Sequence, residues 1–186
     1  MAADQEQDDW KTELKIKFPQ YFSGTKILEI GSANINGSNR PWFDDTCEYT
    51  GLDIAEYKDV DVVCIAHKYD ALDASFDVVL STNQLEHDIY WQKTLERMVR
   101  LLKPKGLMFF QTTHDRPEHG TKTKNPEDSL TVNYGDEEWA NFFKRFTIGE
   151  IKEFLKPDDI FGKYEISYQP PSDLRDIYFW GIKKGA

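Results

Sequence analysis

The stretch Lys26-Ile-Leu-Glu-Ile-Gly-Ser-Ala-Asn-Ile-Asn-Gly-Ser38 constrains this chain more than any other. Ile27, Leu28 and Ile30 form a short apolar run, the pattern of a strand buried on both faces of a parallel sheet. Gly31 then opens a turn of small and polar residues that includes Ser32, Asn34, Asn36, Gly37 and Ser38. In an open α/β sheet, a nucleotide-like ligand meets the backbone at the carboxyl end of the first strand. Glycine belongs there because a Cβ would block that approach or forbid the turn. Glu29 interrupts the apolar run. A carboxylate in such a strand must be paired, solvated at the strand end, or bound to something positive.

The 186 residues fit one domain, residues 10–186, after an acidic stretch 1–9 that is expected to be frayed or disordered. A net charge of −10 opposes both nucleic acid and an anionic membrane surface as partners, since each requires a basic face. No run approaches the ~20 apolar residues of a membrane span. The acidic start lacks the basic-then-apolar layout of a signal peptide. Cys47 and Cys64 have no metal-ligand spacing, and Cys64, within Val62-Val-Cys-Ile65, reads as a small core residue. A cytoplasmic protein is expected, with its oligomeric state open.

Trp10, Leu14, Phe18 and Tyr21 suggest an amphipathic helix that stops near Pro19. Residues 38–43 could begin another. Strands are expected at Cys47–Ile54, Val60–Ile65 and Phe76–Ser81, followed by a helix capped by Asp88 that carries Trp91, Leu95, Met98, Val99 and Leu102. Lys103-Pro-Lys-Gly106 ends that helix, and Leu107–Thr113 is a fifth strand. Residues 114–138 are polar and interrupted by Pro117, Gly120, Pro126 and Gly135, a long loop of the kind that often carries function. Thr147-Ile-Gly-Glu150 is a capping box before Ile151, Phe154 and Leu155. Tyr164–Tyr168 and Ile177–Ile182 close the pattern, with Pro170-Pro171 between them. Strands alternating with helices imply a doubly wound, mostly parallel sheet.

Asp53 ends the second strand, close to the ~20-residue spacing at which a carboxylate past a glycine turn accepts hydrogen bonds from a ribose. Ala33 and Asn36 occupy positions where a dinucleotide fingerprint needs glycine, and no lysine follows Gly37 to make a phosphate loop. A ribose without a phosphate subsite counts against a nicotinamide-dependent oxidoreductase.

The ordered series Leu28-Glu-Ile-Gly31, Gly51-Leu-Asp-Ile54, Phe76-Asp-Val-Val79, Leu85-Glu-His87 and Leu101-Leu-Lys-Pro-Lys-Gly106 resembles the class I S-adenosylmethionine-dependent methyltransferases. The likeness is to their small, single-domain, type-11-like members, whose first motif reads Glu-x-Gly-Ser-x-x-x-Asn-Gly-Ser. It implies a Rossmann-like α/β fold with a seven-stranded sheet, one antiparallel strand near the C-terminus and helices on both faces. It also implies S-adenosylmethionine as cofactor. Glu29, Gly31 and Ser32 would then surround its amino-acid end, Asp53 the ribose hydroxyls and Ile54 the adenine. Ala66 and His67 would frame the adenine, although Ile65 replaces the acidic residue usual before that alanine. Asn83 to Leu85 would line the methionine arm.

Methyl transfer from a sulfonium is an in-line displacement that depends on alignment and exclusion of water, helped by a general base when the acceptor is a hydroxyl or protonated amine. The candidate catalytic residues are His87, His114, Asp115 and His119, with His114-Asp-Arg-Pro-Glu-His-Gly-Thr121 directly after the fifth strand. The spacing of His114, Asp115 and His119 matches no strong metal pattern, so no metal is expected. Trp139, Phe142, Phe143 and Phe146 read as core rather than as a lid. The leading expectation is methyl transfer to an oxygen or nitrogen of a small polar acceptor such as a sugar. The alternative is a non-catalytic module that binds the same cofactor.

Overall fold

The computed structural model describes residues 2–169 and 176–185, and the side chains from residue 7 onward within the first helix. Seven strands form one sheet in the order β3-β2-β1-β4-β5-β7-β6. They are β1 (Lys26–Ile30), β2 (Glu48–Asp53), β3 (Val62–Val63), β4 (Phe76–Thr82), β5 (Leu102–Thr113), β6 (Phe161–Gln169) and β7 (Asp176–Lys183). Strands β1 to β5 pair in parallel, and β7 runs antiparallel to both β5 and β6. This is the expected arrangement of one reversed strand near the C-terminus. The Pro170-Pro171 connection lies outside the described residues.

Helices cover both faces. On one, Trp10 and Leu14 of α1 (Ala2–Lys17), with Phe18 just past its end, pack with Ile27, Val78, Leu80, Phe109 and Trp180. These apolar side chains recur at intervals of four, which puts them on one stripe of the helix. The helix begins at Ala2 rather than near Trp10, and so runs through the stretch expected to be frayed. The opposite face receives α2 (Trp91–Leu101) and, after the four-residue α3 (Glu137–Ala140), α4 (Ile148–Leu155). Thr147 caps α4 by accepting from the Glu150 amide, as the capping-box pattern predicts. A last short helix, α5 (Pro157–Ile160), leads into β6. Among the described residues, no helix is long and apolar enough to cross a membrane.

Further boundaries differ from the sequence reading. The third strand is only two residues long, because the Asp61 carboxylate accepts from the Gly51 amide (2.6 Å) where a longer ladder would continue. Residues 38–43 give a single 3₁₀ turn, Arg40–Trp42. Helix α2 starts at Trp91, since the buried Asp88 carboxylate accepts instead from the Tyr90 amide (2.7 Å) and the Thr94 hydroxyl (2.6 Å). Residues 103–106 bulge from β5, with Leu102 opposite Phe76 and Leu107 opposite Val78.

Candidate active site

Strand order reverses at β1, which has β2 on one side and β4 on the other. At such a switch point the loops leave in opposite directions and open a crevice beyond the carboxyl ends of the strands. A cavity of about 510 Å³ occupies that crevice, within the usual range for a small-molecule site.

Its floor is the opening motif. Gly31 stands at φ +79°, and a Cβ there would lie 2.5 Å from the Cβ of Gln84, so only glycine passes. Ser32 is buried and its Oγ has no partner. Gly51 of β2 leaves room for it, since a Cβ there would meet that oxygen at 2.6 Å. Asp53 clamps the turn. Its Oδ2 accepts from the Ala33 amide (3.0 Å) and its Oδ1 from the Ile54 amide (2.7 Å). Burial nonetheless raises its pKa. The turn therefore needs no second glycine at position 33, because the Asp53 carboxylate holds that residue's amide.

Glu29 is 2 % exposed. Its Oε1 accepts from Nδ2 of Asn39 (2.5 Å) and its Oε2 from the Tyr49 hydroxyl (2.6 Å). Both donors are neutral, and burial pushes the carboxyl up to about 7 despite them. Asn39 also accepts from Nζ of Lys11 (3.2 Å), and Lys11 pairs with Asp8 (2.9 Å). Helix α1 thus delivers Gln7, Asp8 and Lys11 to the wall of the cavity. Sequence reasoning missed these residues. Their signal, a polar stripe on the first helix, looks like an ordinary solvated face.

Among the other expected cofactor residues, Ile54, Ala66 and Asn83 line the cavity. His67 does not, as its ring packs edge-on against Tyr90 at 4.6 Å. Leu85 is 1 % exposed and belongs to the core under α2, because an apolar side chain in that tight turn is taken up by the sheet face. The far end of the cavity is built by Asp128, Ser129, Leu130 and Thr131 of the long loop, with Trp139 beside them. Phe146 is core, as expected, whereas Trp139 lines the cavity.

The four catalytic candidates do not converge. Only His87 reaches the cavity. His114 turns away, with Nδ1 2.6 Å from the Phe146 carbonyl and its ring 4.4 Å from that of Tyr168. Asp115 is half-buried and also away from the cavity. His119 stands behind His87, ring to ring at 5.1 Å. Arg116, which shares their loop, is a bidentate partner of the buried Asp176.

The cavity thus presents a glycine turn, an anchored strand-end carboxylate, an orphaned hydroxyl and a buried carboxyl near neutrality. This suits a cationic amino acid joined to a ribose, with Ile54 and Ala66 as apolar ground for a base. The wider comparisons agree. Residues 3–154 match the family model described as a methyltransferase domain. No curated protein matches the chain by sequence. The fold is similar to Burkholderia thailandensis 1,6-didemethyltoxoflavin-N1-methyltransferase, solved with S-adenosylhomocysteine (TM-score 0.63, 15 % identity, 94 % of this chain and 76 % of that one). It is also similar to Haemonchus contortus phosphoethanolamine N-methyltransferase 2, solved with S-adenosyl-L-methionine (0.63, 15 %, 95 % of this chain and 52 % of that one). The YcgJ protein of Bacillus subtilis is similar along its whole length (0.62, 15 %, 96 % of this chain and 100 % of that one). At these identities the likenesses show the fold alone, and it is the family match over most of the chain that decides membership. The chain belongs to the methyltransferase-domain family, whose cofactor is S-adenosylmethionine.

Proposed function

We propose that this methyltransferase acts on an oxygen or nitrogen of a small polar acceptor, a sugar or related metabolite, held in the same cavity as the cofactor. The observation that carries this reading is the far end of the cavity, where Asp128, Ser129 and Thr131 offer polar groups beside Trp139. Bound S-adenosylmethionine supplies an electrophilic methyl group on a sulfonium. Glu29, once ionised, would answer the ammonium of that ligand, and Lys11 gives a cation for its carboxylate. Asp53 would accept from the ribose hydroxyls, with its orientation fixed beforehand by the Ala33 and Ile54 amides. His87 is neutral, because burial depresses its pKa to about 3, and it stands on the wall where an acceptor would be aligned.

The net charge of −10 supports a small acceptor over nucleic acid. Two unpaired cysteines, Cys47 and Cys64, fit a cytoplasmic setting. Turnover tests the acceptor class. The enzyme is incubated with S-adenosylmethionine and panels of sugars, sugar phosphates and small amines, alongside DNA, RNA and protein fractions, and S-adenosylhomocysteine is measured. Product should form with a polar small molecule and not with the macromolecules. Turnover confined to nucleic acid or protein would contradict the proposal.

A further inference from the structure

Glu86 and His87 lie in the turn after β4, and His119 lies in the loop after β5. One potential ligand atom from each falls within 4.8 Å of the other two. Glu86 is wholly buried and His87 is 5 % exposed. Oε1 of Glu86 and Nδ1 of His87 have no hydrogen-bond partner. Two orphaned polar atoms on adjacent buried residues are a costly arrangement unless something binds them.

Two other polar atoms of the cluster are held in the way that orients metal ligands. Oε2 of Glu86 accepts from the Thr112 hydroxyl at 2.8 Å. Nδ1 of His119 is 2.9 Å from the Pro117 carbonyl. A carbonyl only accepts, so Nδ1 carries the proton and Nε2 the lone pair. The backbone is shaped to the same end. Gly120 has φ +60°, and a Cβ there would lie 2.6 Å from Cε1 of His87, so glycine lets the loop close on the imidazole. The Phe143 ring packs against both imidazoles, at 5.8 and 4.9 Å, and gives the cluster an apolar side.

We infer that Glu86, His87 and His119 bind one divalent first-row transition ion of the zinc class just behind the cavity wall, which His87 alone of the three lines. Two imidazoles and a carboxylate suit such an ion, whereas magnesium and calcium favour oxygen ligands. Tetrahedral bonds of about 2.1 Å set ligand atoms about 3.4 Å apart, so the cluster closes by at most about 1.4 Å on binding. The half-buried His119 can supply that movement from its loop. His119 therefore groups with residues distant in sequence rather than with His114 and Asp115, which is why its loop alone shows no metal pattern.

Tag-free, chelator-stripped protein titrated with Co²⁺ and then Zn²⁺ tests the inference. One equivalent of Co²⁺ should bind with the visible absorption of a low-coordinate nitrogen and oxygen site, and Zn²⁺ should displace it. His119→Ala, a loop substitution that leaves the buried pair in place, should weaken binding at least about tenfold. Glu86→Gln should do the same, and His114→Ala should change nothing. Failure of the folded wild type to bind one equivalent, or unchanged binding in both His119→Ala and Glu86→Gln, would overturn the assignment.

Discussion

Glu29 is a carboxyl group held in the sheet by two neutral donors rather than by a cation. Burial raises its pKa from 4.5 to about 7, so below that pH the protonated form is favoured in the folded, ligand-free protein. Its contribution to stability is full below about pH 4.5 and is lost as the pH rises through about 7. A cationic ligand reverses the preference and must expel the proton. Affinity for S-adenosylmethionine should therefore rise by up to about tenfold per pH unit between roughly pH 5.5 and 6.5, with proton release to the buffer. Glu29→Gln should flatten that dependence. Calorimetry in two buffers of different ionisation enthalpy measures both quantities. Glu29 was legible in the sequence as a misplaced acid. Its partners were not, because Asn39 and Tyr49 are brought to it by a turn and by a neighbouring strand, and nothing in local pattern marks them.

The strands themselves were easy to read. Apolar runs at Ile27–Ile30, Phe76–Ser81 and Leu107–Thr113 become β1, β4 and most of β5, because strands buried on both faces must be apolar throughout. The loop after β5 was harder. His114, Arg116 and His119 are close in sequence but go to three places: the Phe146 carbonyl, Asp176 and His87. The Arg116–Asp176 pair ties this loop to the start of β7, and Gln111 adds a bond to the same carboxylate (2.7 Å). Asp176 is 2 % exposed, so removing its cation leaves a buried charge with only a neutral donor. Arg116→Ala should lower stability by about 3 kcal/mol or more in chemical denaturation, as breaking a buried pair does. A change within about 0.5 kcal/mol, the size expected of an ordinary surface substitution, would show that the pair does not anchor the loop.

Over the whole molecule, a single reversal of strand order at β1 puts the glycine turn, Asp53 and the turn after β4 around one cavity. Helix α1 closes one end from outside the sheet, and the long loop closes the other. The strand-end half of this site could be read from motifs, since strand, glycine and carboxylate recur at fixed spacing. The half supplied by α1 and the loop could not, because it depends on packing across the crevice. The central claim is that Asp53 and the Gly31 turn hold S-adenosylmethionine, and titration calorimetry with the wild type and Asp53→Ala tests it most directly. One equivalent should bind to the wild type, and loss of charge-assisted hydrogen bonds should weaken the variant about 10- to 100-fold. No binding to the folded wild type, or equal affinity in Asp53→Ala, would contradict it.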